Sequence, residues 1–118
     1  MKSIAGVIII LIMAAGSASA QKKIAFDYPD DIADSAKAAF VKDFNQGQKL
    51  YVITCARCHT TKVNGKDVIH DFSLPQLMDY EIRIWPQHQQ DLGETTLTEE
   101  ELRKVVTFLR YKKKNASN

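Results

Sequence analysis

Gly47-Gln48-Lys49-Leu50-Tyr51-Val52-Ile53-Thr54-Cys55-Ala56-Arg57-Cys58-His59 is the stretch on which the reading of this chain turns. Its first part is helical in pattern. Gly47, Tyr51 and Cys55 recur at steps of four, and Phe40 and Phe44 extend the same face upstream. A helix is therefore predicted over about 35–54, with Asp34 or Ser35 as its cap. It runs directly into the cysteines, of which the 118 residues hold two. A disulfide between Cys55 and Cys58 would close a tiny loop and add little stability. The pair therefore reads as metal-binding or catalytic rather than structural.

Within Cys55-Ala56-Arg57-Cys58-His59 each residue type has a chemical use. Two thiols with two residues between them reach the vinyl groups on one edge of a haem and add across them as thioethers. The adjacent histidine then projects its imidazole under the iron as proximal ligand. Other readings compete. A thioredoxin-like redox pair requires a strand–turn–helix setting, whereas this motif ends a helix in a strand-poor chain. A structural zinc site takes four ligands, usually as two spaced pairs, and His59, His70 and His88 form no second knuckle. Chance is opposed by the flanking helix and by the start of the chain.

That start has three parts. Met1-Lys2 is positive, Ile4 to Ala15 is almost wholly apolar, and Ala18-Ser19-Ala20 is a small-x-small exit. This is the pattern of a cleaved secretory signal peptide over 1–20, and it implies a periplasmic protein. The apolar run is about a dozen residues, short of the roughly 20 that a spanning helix needs, so no membrane span is expected after cleavage. Removing it takes away Lys2 alone among the charged residues, so the formal charge falls from +2 to +1. A near-neutral chain of this kind is not expected to bind nucleic acid.

Residues 21–34 read as an extended lead-in broken at Pro29, 35–113 as one domain, and 114–118 as a disordered tail. Thr60 to Ser73 reads as a loop. Leu74-Pro75 opens a second helix that puts Leu77, Met78, Ile82 and Trp85 on one face and stops before Pro86. His88 to Thr96 reads as another loop, with Gly93 as its turn. Thr98 and Glu101 then form a capping box, with Leu97 and Leu102 spaced as a hydrophobic staple, and the last helix runs to about Lys113. The class is all-α, with three or four helices around one covalently bound haem. The haem pocket is expected from Leu74, Leu77, Ile82, Ile84, Trp85 and Leu92.

With these residues the chain resembles the class I monohaem c-type cytochromes. The resemblance rests on Gly-x-x-Leu-Tyr-x-x-x-Cys-x-x-Cys-His from Gly47 to His59, and on Val105, Phe108 and Leu109 of the last helix. It covers about Phe40 to Thr60 and Leu97 to Tyr111, and the short middle of the chain departs from it. It implies crossed amino- and carboxy-terminal helices beside one covalent haem c, with Cys55 and Cys58 as thioethers and His59 on the iron. The family generally supplies a methionine as sixth ligand from a loop before the last helix. Here that place holds His88, which ranks first as distal ligand. Met78, the one methionine beyond residue 20, is the alternative, and an open site is the third possibility. His70 is set aside as too near the motif in sequence.

The expected function is single-electron transfer between redox protein partners, by a free carrier or as the haem subunit of a heteromeric complex. Arg110 and Lys112 to Lys114 would form a basic docking end. The alternative is a haem protein that binds a small gas at an open or displaceable sixth position. Nothing in the sequence points to an enzyme in its own right. About a hundred residues bury a modest core unaided, and a porphyrin enlarges it. Cys55→Ala or Cys58→Ala is therefore expected to leave little folded protein, and a full native circular-dichroism spectrum of either variant would contradict this.

Overall fold

The structure, a computed structural model, describes residues 22–91 and 97–117. The signal peptide expected over 1–20, Leu92 and the turn expected at Gly93 lie outside the described residues. Two helices make the frame: α1, Asp34–Thr54, and α5, Glu99–Tyr111. They share far more contacts than any other pair of elements.

Their approach is set by Gly47. A β-carbon there would stand 1.9 Å from the Lys104 carbonyl oxygen and 3.0 Å from the Phe108 β-carbon. Only a hydrogen fits at that point of the crossing. Phe44 and Tyr51, a turn to either side of Gly47, close over the contact. Their rings lie 5.2 and 5.5 Å from that of Phe108, at tilts that favour aromatic pairs. All three side chains are fully buried, and Leu102, Val105 and Leu109 continue the same face of α5.

The capping box at the start of α5 is present. The Thr98 hydroxyl accepts the Glu101 N–H at 3.1 Å, and the Glu101 carboxylate accepts the Thr98 N–H at 2.8 Å. Leu97, at the staple position, is half-buried against the core. The start of α1 differs from expectation. Ala33 occupies the cap without a side-chain bond, and Asp34 lies in the first turn, paired with Lys37 at 2.8 Å.

Between the frame helices the chain departs from the expected all-α plan. Thr60–Val63 (β1) and Lys66–Ile69 (β2) pair as an antiparallel hairpin, not a loop. Asn64 and Gly65 both adopt positive φ, 51° and 76°, as a two-residue turn of matching twist requires. The expected second helix is broken in two. A 3-10 turn over Pro75–Leu77 stops at Met78, whose extended backbone starts α3, Asp79–Ile84. The break buries Leu77 and leaves Met78 56 % exposed, outside the expected apolar face. The chain does stop being helical at Trp85. Pro86 then opens α4, Pro86–Asp91, where a loop was expected, because proline suits a first helical position. With α2, Ala56–His59, the described residues hold five α-helices rather than three or four.

Residues 114–117, expected as a disordered tail, pair instead with the rest of the molecule. Ile69 donates its N–H to the Ala116 carbonyl, and the lead-in strand bonds across α5's end, Asp27 N–H to Tyr111 and Lys113 N–H to Ala25. Phe26 stacks among Tyr28, Phe40 and Phe44. Lys112 is 1 % exposed and pairs with Asp71, while Lys113 pairs with Asp27. The Arg110 guanidinium lies over the Tyr111 ring. Of the expected basic docking end, Lys112 is thus buried, whereas Arg110, Lys113 and Lys114 stay exposed.

Two consequences are testable. Gly47→Ala must part the frame helices and is expected to cost roughly 3 kcal/mol in denaturation of the haem-loaded protein. Alanine at exposed Lys49 should change stability by less than about 0.5 kcal/mol. The second concerns Asp71. Burial pushes its carboxyl up, but the Lys112 ammonium and the Asn115 amide outweigh burial and hold it below the ordinary carboxylate range. A depressed pKa stabilises the fold above the unfolded value and is lost as pH falls through the folded one. Asp71→Asn should therefore cost about 2 kcal/mol at pH 7, discounted for the third of Asp71 that water reaches. The gap from wild type should close on acidification; a gap constant with pH would contradict this.

Candidate cofactor site

The site hangs from the end of α1. Cys55 follows Thr54 with helical backbone, and its N–H donates to the Tyr51 carbonyl at 2.8 Å. The Cys58 and His59 amides both donate to the Cys55 carbonyl, at 3.1 and 3.0 Å, which winds α2 into one tight turn. That turn puts both sulfurs and the His59 imidazole on one cavity. Tyr51, buried in the helix crossing, donates its hydroxyl to the His59 carbonyl at 3.2 Å. The crossing therefore fixes the backbone that bears the histidine. Burial raises the Tyr51 phenol above its usual range.

The cavity measures about 430 Å³ and is walled mainly by carbon. α5 supplies Leu102, Val105 and Leu109, the middle segment supplies Phe72, Leu77, Ile82 and Trp85, and α4 supplies His88. Of the six expected pocket residues, Leu77, Ile82 and Trp85 line it. Leu74 and Ile84 are exposed and do not, because the break at Met78 turns them outward. Met78 itself is absent from the wall.

His59 and His88 face one another with ring centres 5.9 Å apart. The Nδ1 of His88 is buried and has no hydrogen-bond partner among the described residues. A buried imidazole nitrogen without a partner is uncommon in a folded protein and marks His88 as a candidate for contact with a bound group. His59 is held below the ordinary histidine range, first by burial and then by His88 and His70. The shift favours the neutral imidazole, the form that binds a metal.

Two placements were not foreseen. The Phe72 ring meets the His59 ring edge to face at 5.1 Å. The His70 ring meets Phe72 at 4.7 Å and lines a smaller cavity of about 290 Å³, much of whose wall is shared with the larger one. Neither residue carries a sequence signal, since the hairpin that returns them to the motif was read as a loop.

The donor set fits a haem better than the competing readings. Both cysteines are free thiols. Burial, helped by Cys58, pushes Cys55 up to about 11, opposite to the lowered pKa of a reactive redox pair. Among the described residues no three His, Cys, Asp or Glu side chains cluster to hold a bare metal ion. A broad apolar slot with two thiols at one wall and imidazoles at hand suits a flat apolar macrocycle whose iron takes nitrogen ligands.

Comparison with known proteins agrees. No curated protein and no solved structure matches the chain. Residues 42–109, more than half of the chain, match the family described as cytochrome c oxidase, cbb3-type, subunit III. Those residues run from α1 through the Cys55-to-His59 motif to the inner face of α5, and the chain belongs to this family of c-type cytochromes, proteins of electron transfer that hold haem c covalently.

Proposed function

We propose that this chain carries single electrons between redox partners through one haem, as the haem component of a periplasmic redox complex. Cys55 and Cys58 hold the haem as thioethers, His59 is the proximal ligand and His88 the distal one. When bound, the haem supplies one-electron cycling of its iron. The rest is work for the protein. Leu102, Val105, Leu109 and Leu77 exclude water from the slot, Tyr51 holds the His59 backbone, and α4 presents His88. The partners belong to the reading by analogy with the oxidase whose subunit names the family. Export belongs to it because the sequence begins as a signal peptide does.

The observation that carries the ligand assignment is the His59–His88 pair. Their ring centres stand 5.9 Å apart on one apolar cavity, so both imidazoles lie within reach of a single iron. Met78, more than half exposed on the far side of a helix break, would have to rebuild that segment to reach the slot. Two histidine ligands generally place the potential below that of a methionine-ligated haem, which suits an internal relay more than a terminal oxidant.

The test is the visible, near-infrared and ferric EPR spectrum of the full chain matured in a host that exports and attaches haem. One covalent haem per chain and a low-spin spectrum without a sulfur-to-iron band are expected. His88→Ala should turn the ferric form high-spin and let the reduced form bind carbon monoxide, whereas Met78→Leu should change neither. A sulfur-to-iron band that Met78→Leu abolishes would sink the assignment. Rapid carbon monoxide binding by the unaltered protein would favour a gas binder over a carrier.

A further inference from the structure

The hairpin returns to the motif through Ile69-His70-Asp71-Phe72, and this short connection is clamped from the far end of the chain. Asp71 accepts a bond from the Lys112 ammonium, and its two oxygens accept the Asn115 N–H at 3.3 and 3.1 Å. Two residues earlier, Ile69 donates to the Ala116 carbonyl at 2.9 Å. Asn115 makes this possible by adopting φ of 57°, a left-handed turn that asparagine tolerates well. Lys112 is 1 % exposed. An ammonium so far from water is tolerated only where a carboxylate meets it, so the pair is held to one geometry. The residue after Asp71 is Phe72, whose ring stands against His59 at 5.1 Å and walls the slot.

We infer that the Asp71–Lys112 pair is a positioning device for the proximal ligand: it fixes the connection that presses Phe72 against His59, and so sets the orientation of that imidazole. The inference rests on His59 being the proximal ligand. Neither charged residue touches the slot. Their influence passes through one side chain, Phe72, and acts on how the imidazole is turned and on how dry its surroundings are. Outer contacts of this kind tune a bound metal without ligating it. Loss of the clamp frees the connection, lets water approach the ligand, and favours the more charged ferric state.

The test uses the full chain with haem attached. Asp71→Asn and Lys112→Met are compared with Lys113→Met, which removes a neighbouring lysine whose partner, Asp27, lies away from the slot. Two readouts follow the proximal side: the pattern of hyperfine-shifted haem methyl resonances in the ferric NMR spectrum, and the midpoint potential. Asp71→Asn and Lys112→Met are both expected to keep covalent haem, to reorder the methyl pattern and to shift the potential. Lys113→Met should do neither. The double variant Asp71→Asn/Lys112→Met should shift the pattern no further than either single change, because both break one contact. Haem-loaded variants with the wild-type methyl pattern and potential would overturn the inference alone. Unaltered protein without covalent haem would overturn the functional reading, and the inference with it. If neither charged variant accumulates, Phe72→Leu decides: a reordered methyl pattern supports the role given to that ring, and an unchanged one overturns it.

Discussion

The structure depends on one close approach, the backbone of α1 at Gly47 against the backbone of α5 at Lys104. A methyl group there would overlap the Lys104 carbonyl, which stands 1.9 Å from the position of its carbon. At this distance Phe44, Tyr51 and Phe108 interlock, and the leucines and valine of α5 come within reach of the cysteine turn. A wider crossing would leave the same residues in place along the chain but dissolve the slot between them. Glycine here answers a packing demand and not one of backbone conformation, since it sits within regular helix.

From that contact the site is assembled by short relays. Tyr51 belongs at once to the crossing and to the motif, because its ring packs on Phe108 and its hydroxyl holds the His59 carbonyl. The hairpin and the connection after it bring Phe72 and His70 to the same imidazole. α3 and α4 add Ile82 and His88 to the same wall, with Trp85 between the two helices. The wall is mainly carbon with a few polar side chains, which is the balance a covalently tethered macrocycle needs.

How far the sequence was legible varied with the range of the contacts involved. The Cys55-to-His59 motif, the capping box at Thr98 and the spacing of Gly47 from Tyr51 each carry their requirement in adjacent residues, so both frame helices were readable. The hairpin was not. Its Asn64-Gly65 turn is a hairpin signal, but Lys62, Lys66 and Asp67 are poor strand residues, and pairing with residues near the end of the chain helps hold the second strand. α4 was hidden because Pro86 both ends one helix and begins the next. From the sequence Lys112 belongs to a basic docking end; only the fold brings Asp71 to it. The placements of Phe72 and Met78 depend on those same unread elements. The ranking of His88 over Met78 rested on position along the chain, and the helix break that exposes Met78 was invisible there.

The walls of the slot come from opposite ends of the chain, and this gives its assembly an order in time. The two thiols lie at and just beyond the end of the first helix, whereas Leu102, Val105 and Leu109 arrive with the last. A chain that emerges amino-terminus first therefore presents its cysteines in the open before any far wall exists. Contacts between such distant segments form late, because the intervening loop must first be closed. The interval is one in which an enzyme can reach the thiols from either side. Docking of α5 at Gly47 ends it, and turns an accessible peptide into an enclosed pocket.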